Sequence, residues 1–121
     1  MERLKVRVIL LDKNLARLGD AFINFVFSLA ITEVENCPTG IKVSDKILAE
    51  AARKSGLRKI LPNRADRGLI ANAVEALTVY VWLKRLIMLD ESVNILKASI
   101  RDPAQAISNL VSEAMERIGY D

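Results

Sequence analysis

The sequence predicts an all-α domain, and two observations support that fold class. Apolar residues recur every three or four positions over most of the chain, which is the spacing of one helix face. Turn-forming residues separate these segments: the CPTG stretch from Cys37 to Gly40, then Gly56 and Pro62. Because no repeat, low-complexity tract or linker interrupts the pattern, residues 1–121 are expected to form one domain.

The first half of the chain predicts two helices. One is expected from about residue 13 to 32, with Asp12 or Asn14 as its start signal; its apolar positions are Leu15, Leu18, Phe22, Phe25, Val26 and Leu29. Ser44 is expected to cap a second helix, which Gly56 ends in a left-handed conformation. The following GLRKILPNRAD stretch is expected to be a basic loop with one tight turn, because Pro62 forbids a helix continuing through it.

The second half predicts three more helices. A long, broadly apolar helix is expected from about residue 67 to 89 and should lie centrally, and a short helix is expected near residues 93–100. Asp102 and Pro103 then form a cap and first-turn pair for a last amphipathic helix. Its apolar face consists of Ile107, Leu110, Val111, Ala114, Met115 and Ile118.

Composition limits the classes of function. The chain has 18 basic and 15 acidic residues, a net charge of +3 and a pI of about 9.2, which is compatible with a phosphate-bearing partner. It has no histidine, so the commonest metal ligand and general base is absent. The single cysteine, Cys37, fits a reducing compartment.

The sequence predicts a cytoplasmic protein without a membrane segment. The N-terminus MERLKVRVIL lacks the apolar region and cleavage site of a secretory signal. The two most apolar segments, 21–31 and 69–83, contain 11 and 15 residues and are too short to make good bilayer spans.

Two acids stand within the apolar segments of the long helices. Asp20 lies in LARLGDAFINFVFSLA, and Glu75 lies in ANAVEAL, three residues after Asn72 and on the same helix face. If the helices pack closely at Gly19, the two carboxylates can meet and bind a hard divalent cation such as Mg²⁺. The alternative is ordinary ion pairing, of Asp20 with Arg17 or Lys13 and of Glu75 with Arg64 or Arg67.

These motifs carry a family resemblance. LARLGDA followed by ANAVEAL resembles the signature helix and the second acidic helix of the ribonuclease III family, which cuts double-stranded RNA using magnesium. The intervening VSDKILAEAARKSGL resembles the family's middle helix. By this pattern Asp20 matches the signature aspartate and Glu75 the second-helix glutamate, whereas Ala16 and Asn72 stand where the family has two further acids. The short Mini-ribonuclease III branch also lacks acids at corresponding places.

The resemblance implies a ribonuclease III-like helical domain that hydrolyses double-stranded or structured RNA, without a separate double-stranded-RNA-binding domain. Asp20 and Glu75 would hold Mg²⁺ or Mn²⁺, and Asn72 would orient a water molecule. A bound dication supplies a hydroxide-like nucleophile near neutral pH, so hydrolysis does not need histidine. The basic residues predicted to contact RNA phosphates are Arg58, Lys59, Arg64 and Arg67.

The resemblance also implies a two-fold homodimer in which the first long helix meets its symmetry mate. That helix is apolar on more than one face, which is more than one small core needs. The residues predicted to form the interface are Phe22, Phe25, Val26 and Leu29.

Two other functions fit the same sequence. One is a catalytically inactive ribonuclease III-fold module that binds structured RNA or scaffolds a ribonucleoprotein, which the missing acids at Ala16 and Asn72 favour. The other is a helical homodimerisation protein without an RNA role. Metal-dependent cleavage separates the enzyme from both, and RNA binding in the presence of a chelator separates the two non-enzymes.

Overall fold

The computed structural model describes residues 1–120, which form six α-helices and no strand. The all-α fold class is therefore confirmed. The helices are α1 (Arg3–Leu10), α2 (Lys13–Glu35), α3 (Asp45–Ser55), α4 (Arg67–Leu83), α5 (Leu89–Ala98) and α6 (Pro103–Arg117), with a 3₁₀ turn at Leu57–Ile60.

Helices α2 and α4 form the centre of the fold and approach each other very closely. A Cβ atom added to Gly19 would lie 2.0 Å from the backbone carbonyl oxygen of Glu75, so only glycine fits at this contact. Further along both helices, the rings of Phe22 and Trp82 pack with their centroids 5.2 Å apart. The two helices therefore run in the same direction, with Asp20 and Glu75 beside their point of closest approach.

Side-chain caps begin four of the helices and explain why their starts can be predicted. The Asp12 carboxylate accepts hydrogen bonds from the N–H groups of Asn14 and Leu15, which identifies Asp12 as the start signal of α2. Ser44, Asp66 and Asp102 cap α3, α4 and α6 in the same way. Gly56 ends α3 with a φ of +87°, the left-handed conformation that glycine adopts without strain.

Helix α1 is not anticipated by the sequence pattern. Leu4, Val6 and Val8 alternate with basic residues, which is a strand-like spacing that hides the helical repeat. In the structure Val6, Ile9 and Leu10 are buried, whereas Leu4 and Val8 are exposed. The Arg3 and Arg7 guanidinium groups donate hydrogen bonds to backbone carbonyls of the 3₁₀ turn and so fix α1 against it.

The second long helix is shorter than predicted. It ends at Leu83, because Arg85 adopts a φ of +59° and the chain turns there. The turn places Ile87, which is fully buried, into the core, and α5 begins at Leu89 instead of near residue 93. The apolar run from Leu86 to Leu89 therefore resembles a continuing helix in the sequence but forms the turn that leads into α5, with Ile87 buried and Met88 54% exposed.

By length and composition alone, α2 is long and apolar enough to cross a membrane, since the apolar segment 21–31 is only the middle of a helix of 23 residues. Central helices of folded domains meet the same criteria. Here α2 buries residues from Ala16 to Ala30 against the other helices, chiefly α4 and α5. The absence of a membrane segment stays a prediction.

Candidate catalytic pocket

Asp20 and Glu75, the two acids singled out in the sequence, lie together in one pocket between α2, α4 and the start of α3. The pocket has a volume of about 340 Å³. It is lined by Lys13, Ala16, Arg17, Asp20, Lys42, Asp45, Asn72 and Glu75. Glu75 is only 5% exposed, whereas Asp20 is half-buried at the pocket wall.

The local sequence explains this meeting. Gly19 lets α2 touch the backbone of α4 at Glu75, so the next residue, Asp20, is carried to the edge of the same contact. Ala71 and Ala76 are fully buried beside Glu75 and add no bulk that would separate the helices. The predicted close approach of the two long helices is therefore present at Gly19.

The two carboxyl groups interact directly and hold one proton between them. Burial raises the pKa of Glu75 to about 8, and the hydrogen bond to Asp20 and the charges of Asp20 and Asp45 act in the same direction. The hydrogen bond with Glu75 lowers the pKa of Asp20, helped by the positive charge of Lys42. At neutral pH and without a bound cation, Glu75 is therefore protonated and donates its proton to an ionised Asp20.

Asp20 is held by two further side chains. Asn24, one helical turn later, donates from Nδ2 to Asp20 Oδ1 over 3.0 Å. The Lys42 ammonium lies 3.4 Å from the same oxygen; the Lys42 side chain is largely exposed, and that of Asp20 is about half exposed. Asn24 Oδ1 also accepts the Val43 N–H over 2.7 Å, so one amide fixes both the carboxylate and the backbone segment that carries Lys42.

Asn72 and Ala16 lie where the family pattern has acids, and both line the pocket. Asn72 is exposed, so its amide can reach water or a ligand in the pocket. Ala16 is buried and offers no polar atom. Within residues 1–120, no three acidic or cysteine side chains are grouped closely enough to hold a metal ion by themselves.

Several lining residues were not identified from the sequence. Asp45 follows the cap residue Ser44, where an acid is expected simply because it complements the helix dipole. Lys42 belongs to a segment without periodic pattern, whereas the sequence suggests Lys13 and Arg17 only as ion-pair partners of Asp20. Only the packing of the start of α3 beside α2 and α4 brings Lys42 and Asp45 to the acids.

The four predicted RNA-binding residues lie outside the pocket. Lys59 is exposed in the 3₁₀ turn, Arg64 is exposed in the loop that follows it, and Arg67 is the exposed first residue of α4. The Arg58 guanidinium donates to the carbonyls of Pro62 and Asn63 over 3.1 and 3.0 Å, so it also organises the loop.

The residues predicted for the dimer interface divide into two pairs. Phe22 and Val26 are 8% and 0% exposed and pack in the core of the protomer, so they are corrected from interface to core residues. Their position on α2 turns them towards α4, where Phe22 meets the ring of Trp82. Phe25 is 56% exposed and Leu29 is partly exposed, so this pair can still face a partner.

Comparison with known proteins identifies the same family that the two motifs resemble. The family model described as Ribonuclease III matches residues 13–119, from the first residue of α2 to the end of the C-terminal helix region. The match includes both acids and every residue that lines the pocket. No curated protein matches the chain.

Proposed function

The chain belongs to the ribonuclease III family, and we propose that it is a divalent-metal-dependent endoribonuclease that hydrolyses phosphodiester bonds in double-stranded or structured RNA. The observation that carries this proposal is the meeting of Asp20 and Glu75 in one pocket. Asp20 lies on α2 and Glu75 lies on α4. Each belongs to one of the two motifs that resemble the family.

The donor set fits a hard divalent cation such as Mg²⁺ or Mn²⁺. Asp20 and Glu75 would hold the cation, and such ions are commonly bound by only one or two protein carboxylates. The Lys42 ammonium pairs with Asp20 in the absence of a cation and would have to turn away for one to bind, which its 75% exposed side chain allows. When bound, the cation supplies a hydroxide-like nucleophile near neutral pH and stabilises charge on the departing 3′ oxygen.

The residues of this chain contribute orientation and charge. Asn24 holds Asp20 Oδ1 in place, and Glu75, whose pKa is raised by burial, would have to lose its proton to bind a cation. Asn72 offers a carbonyl oxygen and an amide donor on the exposed wall, which can orient a water molecule. Lys13, Arg17 and Lys42 bring positive charge to the same pocket, where an RNA phosphate would enter.

A cleavage assay tests the proposal. Purified chain is incubated with long duplex RNA in Mg²⁺, in Mn²⁺ and in chelator, and the products are resolved by gel electrophoresis. We expect cleavage only with metal, and its loss in Asp20→Asn and Glu75→Gln with folding intact. The matched controls are Asp90→Asn and Glu116→Gln, two acids outside the pocket, which should cleave like the parent. Full activity of Asp20→Asn would contradict the assignment.

A second candidate function is an inactive family member that binds structured RNA. The favouring observation is the pocket's own positive charge: Lys42 pairs with Asp20, and Ala16 and Asn72 supply no acid. Such a module would bind duplex RNA equally well in chelator and in magnesium and would not cleave it. An RNA-free homodimerisation protein would do neither.

We also propose that the protein is a homodimer in the cytoplasm. Leu18, Ala21 and Phe25 form an exposed apolar row along α2, and Ile41 lies beside Phe25 in a groove of about 500 Å³. Burying this row against a second copy would remove a contiguous apolar surface from water. The exposed thiol of Cys37 favours a reducing compartment.

A further inference from the structure

Residues 39–43, which belong to no helix, form a strap that side chains of α2 hold against that helix. Thr32 Oγ1 accepts the Thr39 N–H over 2.9 Å and donates to the Thr39 carbonyl oxygen over 3.2 Å. Ser28 Oγ bonds both backbone groups of Ile41 over the same two distances. The strap is therefore fixed at alternate residues by side chains that are one helical turn apart.

This ladder of hydrogen bonds continues into the catalytic pocket. Asn24, one turn before Ser28, accepts the Val43 N–H over 2.7 Å. Asp20 is one further turn back, so it shares the same face of α2, and its Oδ1 lies 3.4 Å from the Lys42 ammonium. The strap thus sets the backbone of Lys42 beside Asp20, while the Lys42 side chain, 75% exposed, is free to turn.

We propose that Lys42 is an internal counterion that takes the place of the divalent cation beside Asp20, and that a cation binds there only by displacing it. The inference rests on the proposed function, because it concerns the cation site of that nuclease. An ammonium group and a dication compete for one carboxylate oxygen, since their charges repel each other. Lys42 therefore raises the metal concentration at which the pocket fills.

Lys42 differs from the other basic residues of the pocket. Within residues 1–120, Lys13 and Arg17 line the same pocket but have no acidic side chain within ion-pair distance. When Lys42 turns away, the bond from Asn24 to Asp20 Oδ1 can stay in place and keep the carboxylate oriented. At Asp20 the exchange therefore needs only the rotation of one exposed side chain.

The test measures cation binding in the absence of RNA. Mn²⁺, which prefers the same oxygen ligands as Mg²⁺, is titrated into the whole chain at fixed pH and ionic strength, and free Mn²⁺ is followed by electron paramagnetic resonance. Asp20→Asn should abolish the binding and so assign it to the pocket. Circular dichroism verifies that each variant is folded.

Four lysine variants separate the charge of Lys42 from its size and from the general charge of the pocket. Lys42→Met removes the charge, and Lys42→Arg keeps it. Lys46→Met is the matched control, because Lys46 is exposed, four residues further along and outside the pocket. Lys13→Met removes a charge that lines the pocket without pairing with Asp20.

We expect Lys42→Met to lower the Mn²⁺ Kd about two- to fivefold relative to Lys46→Met, which is the strength of an exposed ion pair, and Lys42→Arg to bind like the parent. Equal Kd values of Lys42→Met and Lys46→Met would overturn the proposal. An equal gain of affinity in Lys13→Met would also overturn it, because any positive charge in the pocket would then oppose the cation.

The outcomes for the counterion and for the proposed function are distinct. A parent that cleaves RNA with metal, together with Lys42→Met that binds Mn²⁺ like Lys46→Met, removes the counterion and leaves the nuclease. Tighter binding by Lys42→Met, with no cleavage by parent or variant at any metal concentration, removes the nuclease and leaves the counterion. Binding of Mn²⁺ by no variant, or undiminished binding by Asp20→Asn, contradicts both.

Discussion

At the scale of single residues, the shared proton of Asp20 and Glu75 links the catalytic pocket to the stability of the fold. The pKa of Glu75 is about 8 in the folded chain, against an ordinary value of 4.5. Between these two pH values the unfolded chain has lost the proton that the folded chain keeps. Stability from this group is therefore fully present below about pH 4.5 and is lost as the pH rises towards 8.

Glu75→Gln should remove this pH dependence. In chelator, we expect the free energy of unfolding of the parent, relative to the variant, to fall between pH 5 and pH 8 by at most about 1.4 kcal/mol per pH unit. Denaturant unfolding at several pH values measures it, with Glu116→Gln as the control acid. Parallel pH profiles of parent and Glu75→Gln would contradict this, because they would show that folding does not raise the pKa of Glu75.

Asn72 is the residue at which an active and an inactive pocket respond differently. Its exposed amide lines the pocket but carries no charge to balance a dication. We expect Asn72→Asp to lower the Mg²⁺ concentration needed for half-maximal cleavage about tenfold, because a further anionic oxygen strengthens cation binding. Titration of cleavage against Mg²⁺ measures the shift.

Asn94→Asp is the matched control for this titration, since Asn94 is exposed on α5 and outside the pocket. It should leave the magnesium requirement unchanged. An Asn72→Asp variant with the parent's requirement would exclude Asn72 from the cation site. Parent and variant that are both inert at every Mg²⁺ and Mn²⁺ concentration would favour the inactive, RNA-binding member of the family.

The same scale shows what the sequence can and cannot predict about the pocket. Asp20 and Glu75 are identifiable because each lies in a helix whose pattern is otherwise apolar, and because the family's motifs contain both. Lys42 and Asp45 are not, since one lies in a segment without periodicity and the other is explained by helix capping alone. Phe22 and Phe25 are equally apolar, and only packing decides that Phe22 is buried and Phe25 is exposed.

At the scale of helices, the predicted starts are accurate where a side chain caps the backbone and inaccurate where tertiary packing sets the boundary. Asp12, Ser44 and Asp102 each accept a hydrogen bond from the first turn of their helix, a local interaction that the sequence encodes directly. The end of α4 depends instead on burying Ile87, and α1 depends on contacts with the distant 3₁₀ turn. Neither the end of α4 nor the helix α1 is therefore marked by a capping residue or a helical repeat in the nearby sequence.

The contact between α2 and α4 provides a test at this scale. Gly19→Ala would place a methyl group 2.0 Å from the Glu75 carbonyl oxygen and so push the helices apart. We expect it to destabilise the fold by about 3 kcal/mol, as overpacking of a tight contact does, and to reduce cleavage by separating the two acids. Denaturant unfolding and the RNA cleavage assay measure the two effects.

Gly68→Ala is the control for the helix-contact test. Gly68 lies within α4, and the nearest atom to its added Cβ, Asp66 Oδ1, is 3.6 Å away, an ordinary contact. Alanine favours the helical conformation, so we expect a stability gain of about 0.5–1 kcal/mol here. Equal stabilities of the two alanine variants would mean that α2 and α4 can separate at no cost, and would remove Gly19 as the residue that brings the acids together.

At the scale of the whole molecule, the exposed row on α2 determines the expected assembly. Phe22 fills the core position of this segment, and Leu18, Ala21 and Phe25 remain on the outer surface. Leu18 and Ala21 flank Asp20 in the sequence of α2, and a two-fold axis through the row would give an assembly with two catalytic pockets. Such a dimer could present one pocket to each strand of a duplex, whereas a monomer offers only one.

Phe25→Asp tests this assembly. Phe25 is 56% exposed in the protomer, so the substitution should leave the monomer folded, but an unpaired charge inside an interface costs several kcal/mol. We expect the parent to sediment as a dimer at micromolar concentration and Phe25→Asp as a folded monomer. Val8→Asp is the control, because Val8 is 74% exposed on α1 and outside the row, and it should remain dimeric. A parent that sediments as a monomer would rule out the homodimer, and loss of the dimer in Val8→Asp alone would move the interface to α1.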